Sequence, residues 1–115
     1  MATGRLWMRS DATETGANGN GLTWGPFRLN PDSHEVWAHG SLLELTFTEF
    51  RLLALLLWAQ GRVVTREEIL REVWGPGQTG RALDVHIRRL RGKLERAGPA
   101  SLVTIRKVGY RLTER

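Results

Sequence analysis

The chain has 115 residues, 41% hydrophobic and 25% charged, with a formal net charge of +5 and no cysteine. That length suits one globular domain with a modest core, and the missing thiols exclude a disulfide framework, a thiolate metal site and thiol redox chemistry. The longest apolar run, Leu52 to Ala59, has eight residues where a bilayer span needs about 20, and the opening MATGRLWMRS lacks the apolar stretch of a secretory signal, so a non-exported, cytoplasmic protein is expected.

Residues 1–21 end in DATETGANGNG and hold little to bury, which reads as a flexible lead-in, with the domain proper over 22–115. From Leu22, LTWGPFRLNP and HEVWAHGSLLEL show short apolar alternations broken at Asn30-Pro31-Asp32 and at His39-Gly40. This punctuation predicts a small antiparallel meander of three strands. Thr46-Phe47-Thr48-Glu49 is a capping box that opens a helix carrying Phe50, Leu53, Ala54 and Leu57 on one stripe, with Gly61 as its terminator. Thr65-Arg66-Glu67-Glu68 repeats the box and opens a shorter helix with Ile69, Leu70, Val73 and Trp74 inward, stopped at Gly75-Pro76-Gly77. A third helix is predicted from about Arg81 to Arg96. LVTIRKVGYRLTE then reads as a C-terminal hairpin turning at Lys107-Val108-Gly109. Sheet, three helices and hairpin define an α+β winged helix-turn-helix.

Charge is divided unevenly along this order. Residues 1–80 hold seven Arg and no Lys against nine acids, net −2, whereas residues 81–115 hold ten Lys and Arg against three acids, net +7. A basic block on a slightly acidic domain is the footprint of a surface that meets a polyanion. Within the third helix, ALDVHIRRLRGKLE, the residues Leu83, Ile87, Leu90 and Leu94 superimpose as a core seam. Opposite them lie Arg81, Val85, Arg88 and Gly92 with Arg89 beside, while His86 and Lys93 fall on one flank and Asp84 and Arg91 on the other. A face built for solubility alone would place acids at four-residue spacing from its bases; the outward sector has none. Arginine suits the O6 and N7 acceptors of guanine, a small apolar side chain such as Val85 suits a thymine methyl, and flanking Arg or His suits phosphates.

The stretches LTFTEFRLLALL, GRVVTREEILREVWG, RALDVHIRRLRGKLE and VTIRKVGYRL make the chain, from about Leu22 to Leu112, resemble the effector domain of OmpR/PhoB-type response regulators. The resemblance implies a four-stranded N-terminal sheet and sequence-specific binding of double-stranded DNA in bacterial two-component transcription control. It places Val85, Arg89 and, in the wing, Arg106 at base-contacting positions. Trp74, Arg81, His86, Arg88, Arg91, Thr104 and Tyr110 fall at backbone-contacting positions, and Gly75, Pro76, Gly77, Gln78, Thr79 and Gly80 at a loop that touches RNA polymerase in some members. Lys107 stands where the family's wing has a glycine. A non-glycine residue tolerates positive φ poorly, and this lysine adds a candidate phosphate contact. The family's phospho-acceptor receiver domain is not among the 115 residues, which leaves open a piece of a longer regulator from which the receiver was removed and a regulator that never had one.

Catalysis is not expected. His34, His39 and His86 are too scattered for a metal motif, Ser41 beside His39-Gly40 reads as turn chemistry, and Glu49 and Glu68 are accounted for by their capping boxes. No metal or cofactor is expected. The remaining alternative is a winged helix that binds RNA polymerase or an acidic protein without reading DNA sequence. The resemblance, together with the lack of a heptad pattern or large apolar face to make a two-fold dimer, implies a weak monomer that places two copies on directly repeated half-sites.

Overall fold

Strands β1 (Leu22–Trp24), β2 (Phe27–Asn30), β3 (Glu35–Ala38) and β4 (Ser41–Leu42) form an antiparallel sheet in sequential order. The computed structural model describes residues 21–75, 80–99 and 101–113; apart from Gly21 the expected lead-in lies outside them, as do Pro76, Gly77, Gln78 and Thr79. Strand alternation sends Phe27, Leu29, Val36 and Ala38 into the core. On the other face the Arg28 guanidinium lies 5.1 Å from the centre of the Trp37 ring. The alternation pattern predicts three strands. The fourth, Ser41–Leu42, has two exposed residues and so offers no alternation to read.

The first helix, α1 (Phe47–Trp58), begins at the Thr46 box: the Glu49 amide donates to Thr46 Oγ1 at 3.1 Å and the Thr46 amide to Glu49 Oε1 at 3.0 Å. It buries Phe50, Leu52, Leu53, Ala54, Leu56 and Leu57 at the centre of the domain, packed against β1, the third helix and the wing. The second helix, α2 (Arg66–Ile69), starts from the equivalent Thr65 box. It then widens into a π-helical turn over Leu70–Trp74, closed by the Gly75 amide donating to Leu70 O at 2.9 Å. The sequence predicts one uninterrupted helix here. Arg51 of α1 caps this widened end: its guanidinium donates to Val73 O at 2.9 Å and Glu72 O at 2.7 Å, satisfying carbonyls that the helix leaves unpaired. The third helix, α3 (Arg81–Ala97), buries the expected seam of Leu83, Ile87, Leu90 and Leu94.

One tie between α1 and α3 was not legible in the sequence. Glu49 is 1% exposed, and its Oε1, already held by the Thr46 amide, also accepts from Lys93 Nζ of α3. Lys93 Nζ donates as well to Glu44 O at 2.7 Å. Burial alone would raise the Glu49 carboxyl, but the Lys93 hydrogen bond, the Thr46 amide and the charges of Lys93 and His86 together hold it below the usual range.

The C-terminal sheet has the order β5-β7-β6, with β5 (Val64–Thr65), β6 (Ser101–Ile105) and β7 (Gly109–Thr113) all antiparallel. The expected hairpin is thus joined by a third short strand leading into α2. Gly109 makes that junction possible, because a Cβ there would lie 2.0 Å from Val64 O. Between β6 and β7 the chain turns through Arg106, Lys107 and Val108, closed by the Val108 amide donating to Ile105 O at 2.9 Å. Lys107 holds the left-handed conformation at φ 64° that the family's glycine would occupy without cost.

Candidate nucleic-acid interface

Because the Leu83, Ile87, Leu90, Leu94 seam faces inward, α3 turns Arg81, Val85, Arg88 and Arg89 outward, all of them exposed. Val85 is 44% exposed, an apolar side chain left among cations on the protein surface. Neither Arg88 nor Arg89 has a hydrogen-bond or ion-pair partner among the described residues. At the wing tip Arg106 and Lys107 are likewise exposed and unpartnered. Unpaired arginines gain little from lying on their own protein, and here the helix directs them away from it.

The flanks of α3 are organised differently. On one side His86, half-buried, donates from Nδ1 to Ala82 O at 2.7 Å, which leaves its Nε2 toward other partners. Its ring meets the Trp74 indole edge-on at 5.4 Å, so the π-helical turn and α3 present these two residues together. On the other side Asp84 and Arg91 face the wing. Arg91 Nε donates to Leu102 O at 3.0 Å and its Nη2 to Thr104 Oγ1 at 2.8 Å. Tyr110, 5% exposed, accepts from Arg66 Nη1 at 2.9 Å and donates to Asp84 Oδ1 at 3.4 Å. Arg66 also pairs with Asp84 at 3.0 Å, and that bond is the main cause of its raised pKa. Burial, with the nearby Asp84 charge, raises the Tyr110 phenol despite the opposing Arg66 charge, so it remains a neutral donor.

The structure therefore brings Val85, Arg88, Arg89, Arg81, His86 and Trp74 onto α3 and its neighbouring turn, with Arg106 and Lys107 at the end of the hairpin. Arg91, Thr104 and Tyr110 lie between the two, each with a side-chain hydrogen bond to another part of the protein. Gly75 and Gly80 border the loop whose four central residues fall outside the described ones. Among the described residues no helix is long and apolar enough to cross a membrane.

Residues 40–112 match the family model described as "Transcriptional regulatory protein, C terminal". The chain belongs to this family. The matched stretch takes in β4, all three helices and most of the wing, and the fold is that of OmpR/PhoB winged-helix DNA-binding domains. Among curated relatives, the sensory transduction protein RegX3 of Mycolicibacterium smegmatis is 40% identical over 107 residues, covering 90% of this chain and 47% of RegX3. The chain thus spans about half the length of that relative. Among solved structures, the DNA-binding domain of the response regulator AdeR, in complex with an intercistronic region, is similar at TM-score 0.70 and 32% identity. That match covers 78% of this chain and 96% of AdeR's. The RstA DNA-binding domain of Klebsiella pneumoniae, in complex with the RstA box, matches at TM-score 0.69 and 26% identity over 83% of this chain and 98% of its own.

Proposed function

We propose that this domain is the output half of a two-component transcriptional regulator and reads double-stranded DNA, with α3 in the major groove and the wing tip in an adjacent minor groove. The observation that carries this reading is the outward sector of α3, where Arg88 and Arg89 flank an exposed Val85 and have no partner among the described residues. The DNA complexes of AdeR and RstA support it through the shared fold. Val85 and Arg89 contact base edges. Arg81, Arg88, His86 and Trp74 hold phosphates on the groove walls. Arg106 enters the minor groove and Lys107 holds a phosphate beside it. The loop from Gly75 to Gly80 is a surface for RNA polymerase, and control by phosphorylation belongs to a receiver domain.

Selection of bound sequences from a random duplex pool tests the proposal. It is expected to return two directly repeated half-sites about one helical turn, 10–10.5 bp, apart, bound by two copies of a protein that sediments as a monomer without DNA. Inverted repeats, or a tight dimer in the absence of DNA, would contradict this arrangement. No enriched sequence at all would favour a protein-binding module.

The wing is expected to contribute from a different groove. Arg106→Ala should weaken binding by roughly 1 kcal/mol at sites whose wing-side flank is A·T-rich, where a narrow minor groove concentrates negative potential, and by less at G·C-rich flanks. Equal losses on both flanks would make Arg106 a phosphate contact only. Lys107→Gly should lower the slope of log affinity against log salt by about one. Its stability should change by less than about 1 kcal/mol, since relief of the positive φ is offset by the greater freedom of glycine in the unfolded chain.

A further inference from the structure

Three side chains that lie in the groove-facing region are spent on holding the wing. Thr104 and Tyr110 are directly paired across the β6–β7 ladder, one rung from the final pair, Ile105 and Gly109. Thr104 is tied to α3, and Tyr110 to both α2 and α3. Thr104 Oγ1 accepts from Arg91 Nη2 while Arg91 Nε takes Leu102 O two residues earlier, so one planar guanidinium spans two points of β6. Tyr110 is tied to Arg66 and Asp84, and the Arg66 backbone amide donates to Val108 O at 3.2 Å, at the turn itself. The tip therefore projects only one rung and a turn beyond a rung fixed to the middle of α3 on one side and to the starts of α2 and α3 on the other.

Resting on the DNA-reading proposed above, we propose that Arg91 is a positioning residue, which sets the distance and angle between α3 and the wing tip so that Arg106 and the outward face of α3 reach their grooves together. Its two acceptors are neutral, a carbonyl and a hydroxyl, and both are protein groups. A phosphate anchor would need only a positive charge in reach. Bridging Leu102 O and Thr104 Oγ1 needs the arginine fork, which lysine cannot reproduce. Preorganising the wing in this way removes an ordering cost that binding would otherwise meet.

The test uses the duplex obtained by selection, made with an A·T-rich or a G·C-rich wing-side flank, and fluorescence anisotropy over a range of salt concentrations. Arg91→Lys is expected to keep the wild-type salt slope but to lose the flank preference, down to within about twofold of the Arg106→Ala protein. Adding Arg106→Ala to it should then cost less than half of what it costs in the wild type, because the wing is no longer held in place. Thr104→Val removes only the accepting hydroxyl and carries the same expectation, so it serves if Arg91→Lys fails to melt cooperatively. A lysine variant that keeps the flank preference, alongside an Arg91→Ala protein whose salt slope falls by about one, would make Arg91 a phosphate anchor and overturn the positioning role. A wild type that prefers its selected duplex but shows no flank preference would overturn it too. A wild type that prefers no duplex would instead overturn the DNA-reading itself.

Discussion

Lys93→Met is expected to lower the unfolding free energy by about 3 kcal/mol, the largest loss among the substitutions considered for this domain. The reason lies at Glu49, which is 1% exposed and would be left as a buried carboxylate with only the Thr46 amide as partner. The value sits at the lower end of the usual range for a broken buried pair because the Lys93 side chain is itself 27% exposed, which gives water an approach from that side. Glu49→Gln in the same protein should recover a substantial part, since the amide oxygen can still accept from Thr46 and no charge remains to be desolvated. The pH dependence follows from the sign of the shift. In the wild type Glu49 titrates below its unfolded value, so its contribution is complete above the usual carboxylate range and is lost as pH falls through the folded pKa. Without Lys93 two of the effects that hold that pKa down are gone while burial still opposes the charge, so the variant loses less in acid and its gap to the wild type should narrow. Urea unfolding at neutral and acidic pH measures both; a gap that stays constant would mean that Glu49 is not the cause.

Arg89→Ala should cost about 1–3 kcal/mol on the preferred site and relax the choice at one base pair. Arg88→Ala should behave otherwise. Both arginines are exposed and have no partner among the described residues, so neither loss would arise from a disturbed fold, and thermal melting should be nearly unchanged. They differ in direction on the helix and, on the proposed reading, in what they meet: Arg88 would face a groove wall, where any sequence offers a phosphate. Its removal should weaken selected and random duplex alike and lower the salt slope by about one.

The elements that carry strong local chemistry were legible in the sequence. Both capping boxes form as read, the four-residue seam of α3 is buried, and the basic residues opposite it are exposed. Strands β4 and β5 were not legible, because two residues cannot display a period and β5 exists only through its pairing with β7. The π-helical turn was hidden for a related reason: Arg51, which satisfies its carbonyls, lies more than 20 residues away. Long separations also concealed Lys93 with Glu49, and Arg66 with Tyr110, each 44 residues apart. Asp84 is the instructive residue. It is the sole acid in the first turn of α3, and sequence alone placed it on a flank without a purpose. The structure gives it one, as the carboxylate that Arg66 and Tyr110 share beneath the wing.

The claim that α3 reads sequence is tested most directly by competition between the selected duplex and random duplex for the wild type, Arg89→Ala and Arg88→Ala at one salt concentration. The ratio of the two affinities should fall by about tenfold to a hundredfold for Arg89→Ala and stay at the wild-type value for Arg88→Ala, although both bind the selected site less tightly. If both substitutions weaken selected and random duplex by the same factor, the ratio stays constant throughout. The outward face of α3 would then be a general polyanion surface, and the sequence-reading account would be contradicted.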